Sequence, residues 1–194
     1  MRFVIITLPP RATGEQIEAL RRPLNQAVGA REALRYPPHL TLRTGLVCPD
    51  DKAGEAARDF LAHAARFLSV PVRTDGVFYA TYGIPGQERG LVGWSVEITQ
   101  PLLTLHRGLL AYQPWAKGPQ AAFRPHVTLA FDDLGAEQVE VLRRRIEAMP
   151  PLPAFFWTVD HVALYHERPE GWVEWDRVRL KEGEDSWSGR LGTP

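Results

Sequence analysis

The chain is poor in the features that mark secreted and membrane proteins. Of its 194 residues only Cys48 is a cysteine, so no internal disulfide can form, which fits a reducing compartment. No apolar run approaches the length that crosses a bilayer. The apolar run at residues 3–8 is too short for the core of a signal peptide and ends at Pro9-Pro10. We therefore expect a cytoplasmic protein with no membrane partner.

Net charge is the second thing that the chain lacks. It has 23 Lys and Arg residues against 23 Asp and Glu residues, which gives a formal net charge of zero. A protein that covers a long stretch of nucleic acid needs a net basic face, so this balance argues against that class. It does not exclude a small phosphorylated ligand held by one or two arginines.

A seven-residue pattern is present twice, at residues 36–42 and again at 123–129. In both segments an aromatic residue, any residue, Pro, His, an apolar residue, Thr and Leu follow one another. On a β-strand, residues i and i+2 point to the same face. His39 with Thr41, and His126 with Thr128, would then form two polar pairs, with apolar residues anchoring the opposite face. One such pair is typical of a partly exposed strand, but two with the same flanks indicate a functional site.

The order of predicted elements indicates an α+β fold with two related lobes around a central cleft. We predict one bilobal domain over residues 1–181, with an antiparallel-type sheet and flanking helices in each lobe, and a polar tail over 182–194. The patterns predict helices at about 14–27, 51–67, 101–112 and 135–149, strands at about 2–8, 38–44, 71–80, 91–98, 122–131, 155–166 and 172–180, a turn at 82–87 and a loop at 113–121. Gly29 is predicted to stop the first helix.

Two His-x-Thr strands that face each other across this cleft would suit acid and base chemistry. The pKa of an unperturbed histidine is near 6.5, so one neutral and one protonated ring can coexist near neutral pH. One ring could take a proton from a nucleophile while the other gives a proton to a leaving group. The threonine hydroxyls could donate hydrogen bonds to an anion between the rings, and a phosphodiester suits this arrangement well.

Two arginines are candidates for substrate binding. Arg43 lies two residues beyond Thr41, so it shares the face of His39 and Thr41 if the strand continues without interruption. Ala130 occupies the corresponding position of the second motif, which would make the two halves of the site unequal. Arg124, two residues before His126, could reach the same cleft.

A metal site is the main alternative use of the two histidines. Zinc normally needs a third or fourth protein ligand, and neither Asp132, Asp133, His161 nor His166 has ligand spacing to either motif. We therefore predict no metal and no cofactor. The remaining histidines, 63 and 106, lie in predicted helices and are expected at the surface or in packing. The tryptophans at 94, 115, 157, 172, 175 and 187 are expected mostly in the core or on strand faces.

The segments 39–43 and 123–130 resemble the two signature motifs of the two-histidine (2H) phosphoesterase superfamily. Within it the chain is similar to the bacterial RNA 2′,3′-cyclic phosphodiesterase / 2′-5′ RNA ligase family. The resemblance implies pseudo-two-fold symmetry and a metal-independent site. By this resemblance His39 and His126 form the acid/base pair, and Thr41 and Thr128 bind the phosphate. The family often has Arg-Phe after the first motif and Ala-Arg after the second, whereas this chain has Arg43-Thr44 and Ala130-Phe131.

The resemblance implies an enzyme that opens the 2′,3′-cyclic phosphates of RNA ends or nucleotides to 2′-phosphates. Two alternatives stay open. One is a 2′-5′ RNA ligase, in which a 5′-hydroxyl replaces water as the nucleophile. The other is a nucleotide- or RNA-binding module without catalysis. No obligate protein partner is predicted, and the sequence leaves open the base preference, the oligomeric state and which histidine acts as the base.

Overall fold

The structure is a computed structural model that describes residues 1–84, 87–112 and 122–183. Most of the predicted loop and tail, residues 113–121 and 184–194, and residues 85–86 of the predicted turn lie outside the described residues. Within the described ranges the strands are β1 (Arg2–Thr7), β2 (Leu40–Val47), β3 (Val70–Tyr82), β4 (Arg89–Val96), β5 (His126–Phe131), β6 (Phe156–Val159), β7 (His161–Arg168) and β8 (Gly171–Arg179). The α-helices are α1 (Arg11–Val28), α2 (Ala53–Ala64), α3 (Gln100–Ala111) and α4 (Ala136–Glu147).

The strands form an antiparallel sheet in the order β6-β3-β4-β5-β2-β1-β7-β8. The two motif strands, β5 and β2, are neighbours at its centre, where Leu40 pairs with Val127. Four strands lie on each side of this junction, so the sheet consists of two halves. The predicted α+β fold with two antiparallel halves and flanking helices is confirmed. The motif strands, however, lie side by side and do not face each other across a gap.

The two halves repeat one arrangement of strand, helix and motif strand. In the first half this unit is β1-α1-β2, and in the second it is β4-α3-β5. Each helix packs on the motif strand of the other half, because α1 contacts β5 and α3 contacts β2. Helix α2 packs on β7 and β8, whereas α4 packs on β3 and β4. The pseudo-symmetry thus extends from the two motifs to the packing of the helices.

The apolar residues of the motifs anchor the sheet in the core. Leu40, Leu42, Val127 and Leu129 are all buried, as the alternation along the two strands predicts. The first helix ends at Val28 and is capped, as predicted, by Gly29, whose φ of 70° is left-handed and favours glycine. None of the helices among the described residues combines the length and the apolar content that crossing a bilayer requires.

One predicted strand is in fact two. The apolar segment predicted as a single strand over 155–166 is divided at Asp160 into β6 and β7. Strand β6 pairs with β3 and β7 pairs with β1, so the chain passes from one half of the sheet to the other at this residue. Both pieces are apolar and no glycine or proline separates them, so the local pattern does not reveal the division.

Candidate functional site

A pocket with a volume of about 580 Å³ lies on the face of the sheet that carries the motif side chains. His39, Thr41, His126 and Thr128, called here the His/Thr quartet, all line it. The other lining residues are Arg2, Phe3, Val4, Ile6, Ala33, Tyr36, Thr44, Tyr82, Leu91, Phe131, Tyr165 and Trp172. The structure therefore brings the four motif residues together in one pocket with largely apolar walls.

The register of the central strands explains how the quartet is arranged. Leu40 and Val127 are directly opposite in an antiparallel pair. It follows that His39 lies opposite Thr128 and that Thr41 lies opposite His126. Residues opposite each other in such a pair have Cβ atoms about 4.5–5.5 Å apart. The quartet is thus a compact two-by-two array in which each imidazole has a hydroxyl beside it on both strands.

Both catalytic candidates among the histidines are held in the same tautomer. His39 Nδ1 lies 2.8 Å from the carbonyl oxygen of Pro37, and His126 Nδ1 lies 2.7 Å from that of Arg124. A carbonyl oxygen can only accept, so Nδ1 of each ring carries the hydrogen. Pro37 and Arg124 each precede a proline, which restricts them to extended conformations. This restriction helps to direct their carbonyl oxygens toward the histidine rings. In both rings Nε2 is left to exchange protons with a ligand.

Burial lowers the pKa of both rings. The pKa of His39 falls from 6.5 to about 4, chiefly because burial disfavours the charged ring, with a smaller lowering by the positive charge of Arg21 and by His126 when that ring is protonated. The pKa of His126 is also lowered, chiefly by burial and then by Arg124. Both imidazoles are therefore mostly neutral at pH 7 without a ligand. An anion bound between them would raise both pKa values again.

A β-bulge follows the threonine of the first motif. Along β1, Ile6 pairs with Thr41 and the next residue, Ile5, pairs with Arg43, so Leu42 is an extra residue in β2. Such an insertion shifts the alternation of side chains by one position. Thr44, not Arg43, consequently lines the pocket.

Arg43 lies on the core side of the sheet, so the prediction that it shares a face with His39 and Thr41 is wrong. Its side chain is buried, and Nη1 donates to the carbonyl oxygens of Leu109 and Tyr112 at 2.6 Å each. These two carbonyls lie at the end of α3. Arg43 therefore fastens α3 to the motif strand and is not in a position to contact a ligand in the pocket.

The second motif carries the same bulge. Along β4, Gly93 pairs with Thr128 and Val92 pairs with Ala130, which leaves Leu129 as the extra residue of β5. Ala130 is buried like Arg43, and Phe131 lines the pocket like Thr44. The asymmetry of the pocket therefore lies in Thr44 and Phe131, three residues beyond each motif threonine.

Arg124 lies beside the second histidine but does not line the pocket. Its guanidinium carbon is 4.1 Å from the ring centroid of Phe78, and this ring contacts His126 edge to face at 5.4 Å. Phe78 can approach the motif strand because the residue opposite it on β4 is Gly93, which has no side chain. A Cβ at Gly93 would lie 2.9 Å from the Val127 carbonyl oxygen and 3.2 Å from the Phe78 ring. A substrate contact of Arg124 stays a prediction.

Aromatic side chains form two walls of the pocket, which the sequence patterns hardly indicated. On one wall Tyr82 and Phe131 stack with ring centroids 5.9 Å apart and 16° between the planes. On the other, the centroid of Trp172 is 6.2 Å from that of Tyr36, with Tyr165 nearby in the lining. Tyr36 belongs to the repeated pattern and Phe131 ends the second motif strand, but Tyr82, Tyr165 and Trp172 come from two hairpins that no local signal connects with the motifs.

The remaining histidines take part in packing. His106 and His63 bond backbone carbonyls, His161 pairs with Asp160, and His166 packs between Phe3 and Trp175. In the described ranges, no group of three or more His, Cys, Asp and Glu side chains is placed to hold a metal ion.

A family model matches most of the chain, and solved structures share its fold. The profile of the 2′-5′ RNA ligase superfamily matches residues 9–171. The apo crystal structure of E. coli LigT has a TM-score of 0.60 at 18% identity, covering 93% of this chain and 97% of LigT. TT0787 of Thermus thermophilus has a TM-score of 0.55 at 21% identity, covering 94% and 99%. Usb1 of Kluyveromyces marxianus has a TM-score of 0.50 at 13% identity, covering 89% and 96%. No curated protein sequence matches the chain.

Proposed function

The chain belongs to the 2′-5′ RNA ligase superfamily of two-histidine phosphoesterases, and we propose that it opens 2′,3′-cyclic phosphates of RNA ends or nucleotides to 2′-phosphates. The observation that carries this proposal is the His/Thr quartet at the floor of one pocket. Two imidazoles with free Nε2 atoms and two hydroxyl donors match what an in-line displacement at phosphorus needs. No step of this reaction requires a metal or a cofactor.

In the proposed reaction the cyclic phosphate sits over the quartet. The hydroxyls of Thr41 and Thr128 donate to its non-bridging oxygens, where negative charge develops in the transition state. Nε2 of one histidine takes a proton from water as the new oxygen–phosphorus bond forms. Nε2 of the other gives its proton to the ribose 3′-oxygen as that bond breaks. The product is a 2′-phosphate, and proton exchange with solvent restores the two rings.

The lowered pKa values of the two rings fit this cycle. A neutral ring is ready to accept a proton from water, and the negative charge of the bound phosphodiester favours protonation of its partner. One ring of each protonation state is the combination that concerted transfer needs. Because the rings interact, the two apparent pKa values belong to the pair.

The aromatic walls support a nucleotide as the substrate. Base stacking on an aromatic side chain contributes about 1–3 kcal/mol per base and tolerates different bases. Crystal structures show E. coli LigT complexed with 3′-AMP and with NADP+. We extend nucleotide binding from that protein to the pocket of this one, with the nucleobase against Tyr82 and Phe131 or against Tyr36 and Trp172.

The presence of aromatic residues on both walls also favours a second candidate, a 2′-5′ RNA ligase. A ligase must hold one nucleoside on each side of the phosphate, and the two walls offer a surface for each. The chemistry is the same, except that a ribose 5′-hydroxyl replaces water. A binding module without catalysis is the third candidate.

The decisive experiment incubates the protein with the four nucleoside 2′,3′-cyclic phosphates in excess chelator and identifies the products by phosphorus NMR. We expect 2′-phosphates, with turnover at least about 10²-fold lower in His39→Ala and His126→Ala. His63→Ala is the matched control, because His63 bonds the Gly108 carbonyl outside the pocket. Near-wild-type turnover in either pocket variant would refute the assignment. Joining of a 5′-hydroxyl oligonucleotide to a cyclic end would establish the ligase, and binding without turnover would establish the binding module.

A further inference from the structure

The bulged residue after each motif threonine turns its carbonyl toward a helix of the opposite half. His106 of α3 contacts the Leu42 carbonyl oxygen through Nδ1 at 2.8 Å. Asn25 of α1 donates from Nδ2 to the Leu129 carbonyl oxygen at 2.6 Å. Leu42 and Leu129 hold equivalent places in the two motifs, so the bonds are related by the pseudo-symmetry. We call this pair of hydrogen bonds the crossed anchors.

The same two helices also hold the residues that lead into the motifs. Arg21, one turn before Asn25, donates from Nη2 to the Tyr36 carbonyl oxygen at 2.6 Å. The ring of His106 stacks on Phe123 with centroids 3.8 Å apart and 10° between the planes. Tyr36 and Phe123 each lie three residues before a motif histidine. Each helix thus contacts the aromatic residue that begins one motif and the bulged leucine of the other.

Both anchor side chains are polar groups in buried positions. Asn25 is fully buried, and it donates to the Arg21 carbonyl oxygen as well as to that of Leu129. Its Oδ1 has no hydrogen-bond partner among the described residues. His106 is more than nine-tenths buried. A buried polar group lowers stability unless it is hydrogen-bonded, so the presence of these two side chains is better explained by the carbonyls that they hold than by packing alone.

We propose that Asn25 and His106 are positioning residues that set how β2 and β5 lie against each other, and thereby the separation of His39 and His126. In the part of the chain that the structure describes, these strands pair at one position, whereas β2 pairs with β1 at five. Main-chain pairing alone therefore restrains the two motifs weakly. The crossed anchors add one restraint on each side of the central pair, next to Thr41 and Thr128. This inference rests on the proposed function.

The test compares variants of His106 that keep or remove the donor. We expect His106→Leu to lower kcat on 2′,3′-cyclic AMP by about 10²-fold, because small displacements of reacting groups have effects of this size. KM should change less than about threefold, since the apolar walls that hold the base are untouched. The kcat of His106→Asn should be at least about tenfold higher than that of His106→Leu, because the Asn amide can donate from a similar position, as Asn25 does in the other half. Asn25→Leu should behave like His106→Leu.

Leu105→Ala is the control for a purely structural effect. Leu105 is buried on α3 beside His106 but does not bond the motif strand. It should lower the melting temperature at least as much as His106→Leu while leaving kcat within about threefold. The proposal would be overturned if Leu105→Ala and His106→Leu lowered kcat equally. It would also be overturned if the kcat of His106→Asn were no higher than that of His106→Leu.

A second measurement separates this inference from the proposed function. The ring protons of His39 and His126 can be followed by NMR against pH in each variant, without any substrate. His106→Leu and Asn25→Leu should shift both titrations relative to wild type, and Leu105→Ala should not. If wild type opens no cyclic phosphate but the titrations move as expected, the proposed function fails and the positioning role stands. Unmoved titrations in His106→Leu and Asn25→Leu would overturn the positioning role.

Discussion

The protonation of His39 makes the stability of this protein depend on pH in a way that can be measured. Burial lowers the pKa of its ring from 6.5 to about 4, so folding favours the neutral form. The unfolded chain, with the ordinary pKa, binds a proton more readily than the folded one between these two values. The stability contributed by this group is therefore complete above about pH 6.5. It is lost as the pH falls toward 4.

The size of the loss follows from the two pKa values. One pKa unit corresponds to about 1.4 kcal/mol. A pH of 5 lies about one and a half units below the pKa of histidine in the unfolded chain. Between pH 8 and pH 5, His39 should therefore lower the free energy of unfolding by up to about 2 kcal/mol. This is an upper value, because His39 lines an open pocket that water can enter. His126 should add a loss of the same sign, since its pKa is lowered too.

Urea unfolding of wild type and His39→Ala at pH 8, 6.5 and 5 measures this effect. We expect the wild type to lose more stability on acidification than the variant, by about 1–2 kcal/mol. Thr44→Ala is the control, because it changes a pocket residue that does not titrate. Equal losses in wild type and His39→Ala would show that His39 is not held neutral by its surroundings, which would refute the reasoning.

Three further predictions follow from the packing around the quartet. Arg43→Met should lower the free energy of unfolding by about 1–3 kcal/mol in urea titrations, because two carbonyls lose their donor, and leave KM unchanged. A rise in KM would instead indicate that Arg43 contacts the substrate in the pocket. Thr41→Ala and Thr128→Ala should each lower kcat by about 10-fold in the cyclic phosphate assay, with Ser in place of Ala retaining most activity. Gly93→Ala should lower the melting temperature and kcat together, because the new Cβ would press on the Val127 carbonyl of the motif strand and on the Phe78 ring beside His126; an unchanged kcat would contradict this.

The sequence by itself determined the pairing of histidine with threonine. The alternation of a strand is a local property of the backbone, so residues two apart share a face wherever the strand lies. His39 and Thr41 therefore line the pocket together, as do His126 and Thr128. The duplication of the motif also indicated two related halves, and the order of helices and strands followed from periodicity and from stop signals such as Gly29.

The bulge after each motif could not be predicted from the alternation along a single strand. A bulge is defined by the partner strand, since two residues must face one, and the partners β1 and β4 lie elsewhere in the chain. Without the bulge Arg43 would continue the face of His39 and Thr41, as the simple alternation predicts. With it, Arg43 enters the core and Thr44 takes the place in the pocket.

Only the tertiary structure decided which surfaces surround the quartet. The neighbourhood of β2 and β5 arises from main-chain pairing between residues far apart in sequence, which no local pattern encodes. The aromatic walls come from Tyr82 and Trp172, near the ends of two different hairpins, and the crossed anchors come from Asn25 and His106, which look like ordinary helix residues. Their roles depend on contacts between distant segments, and composition and periodicity report only on residues that are close along the chain.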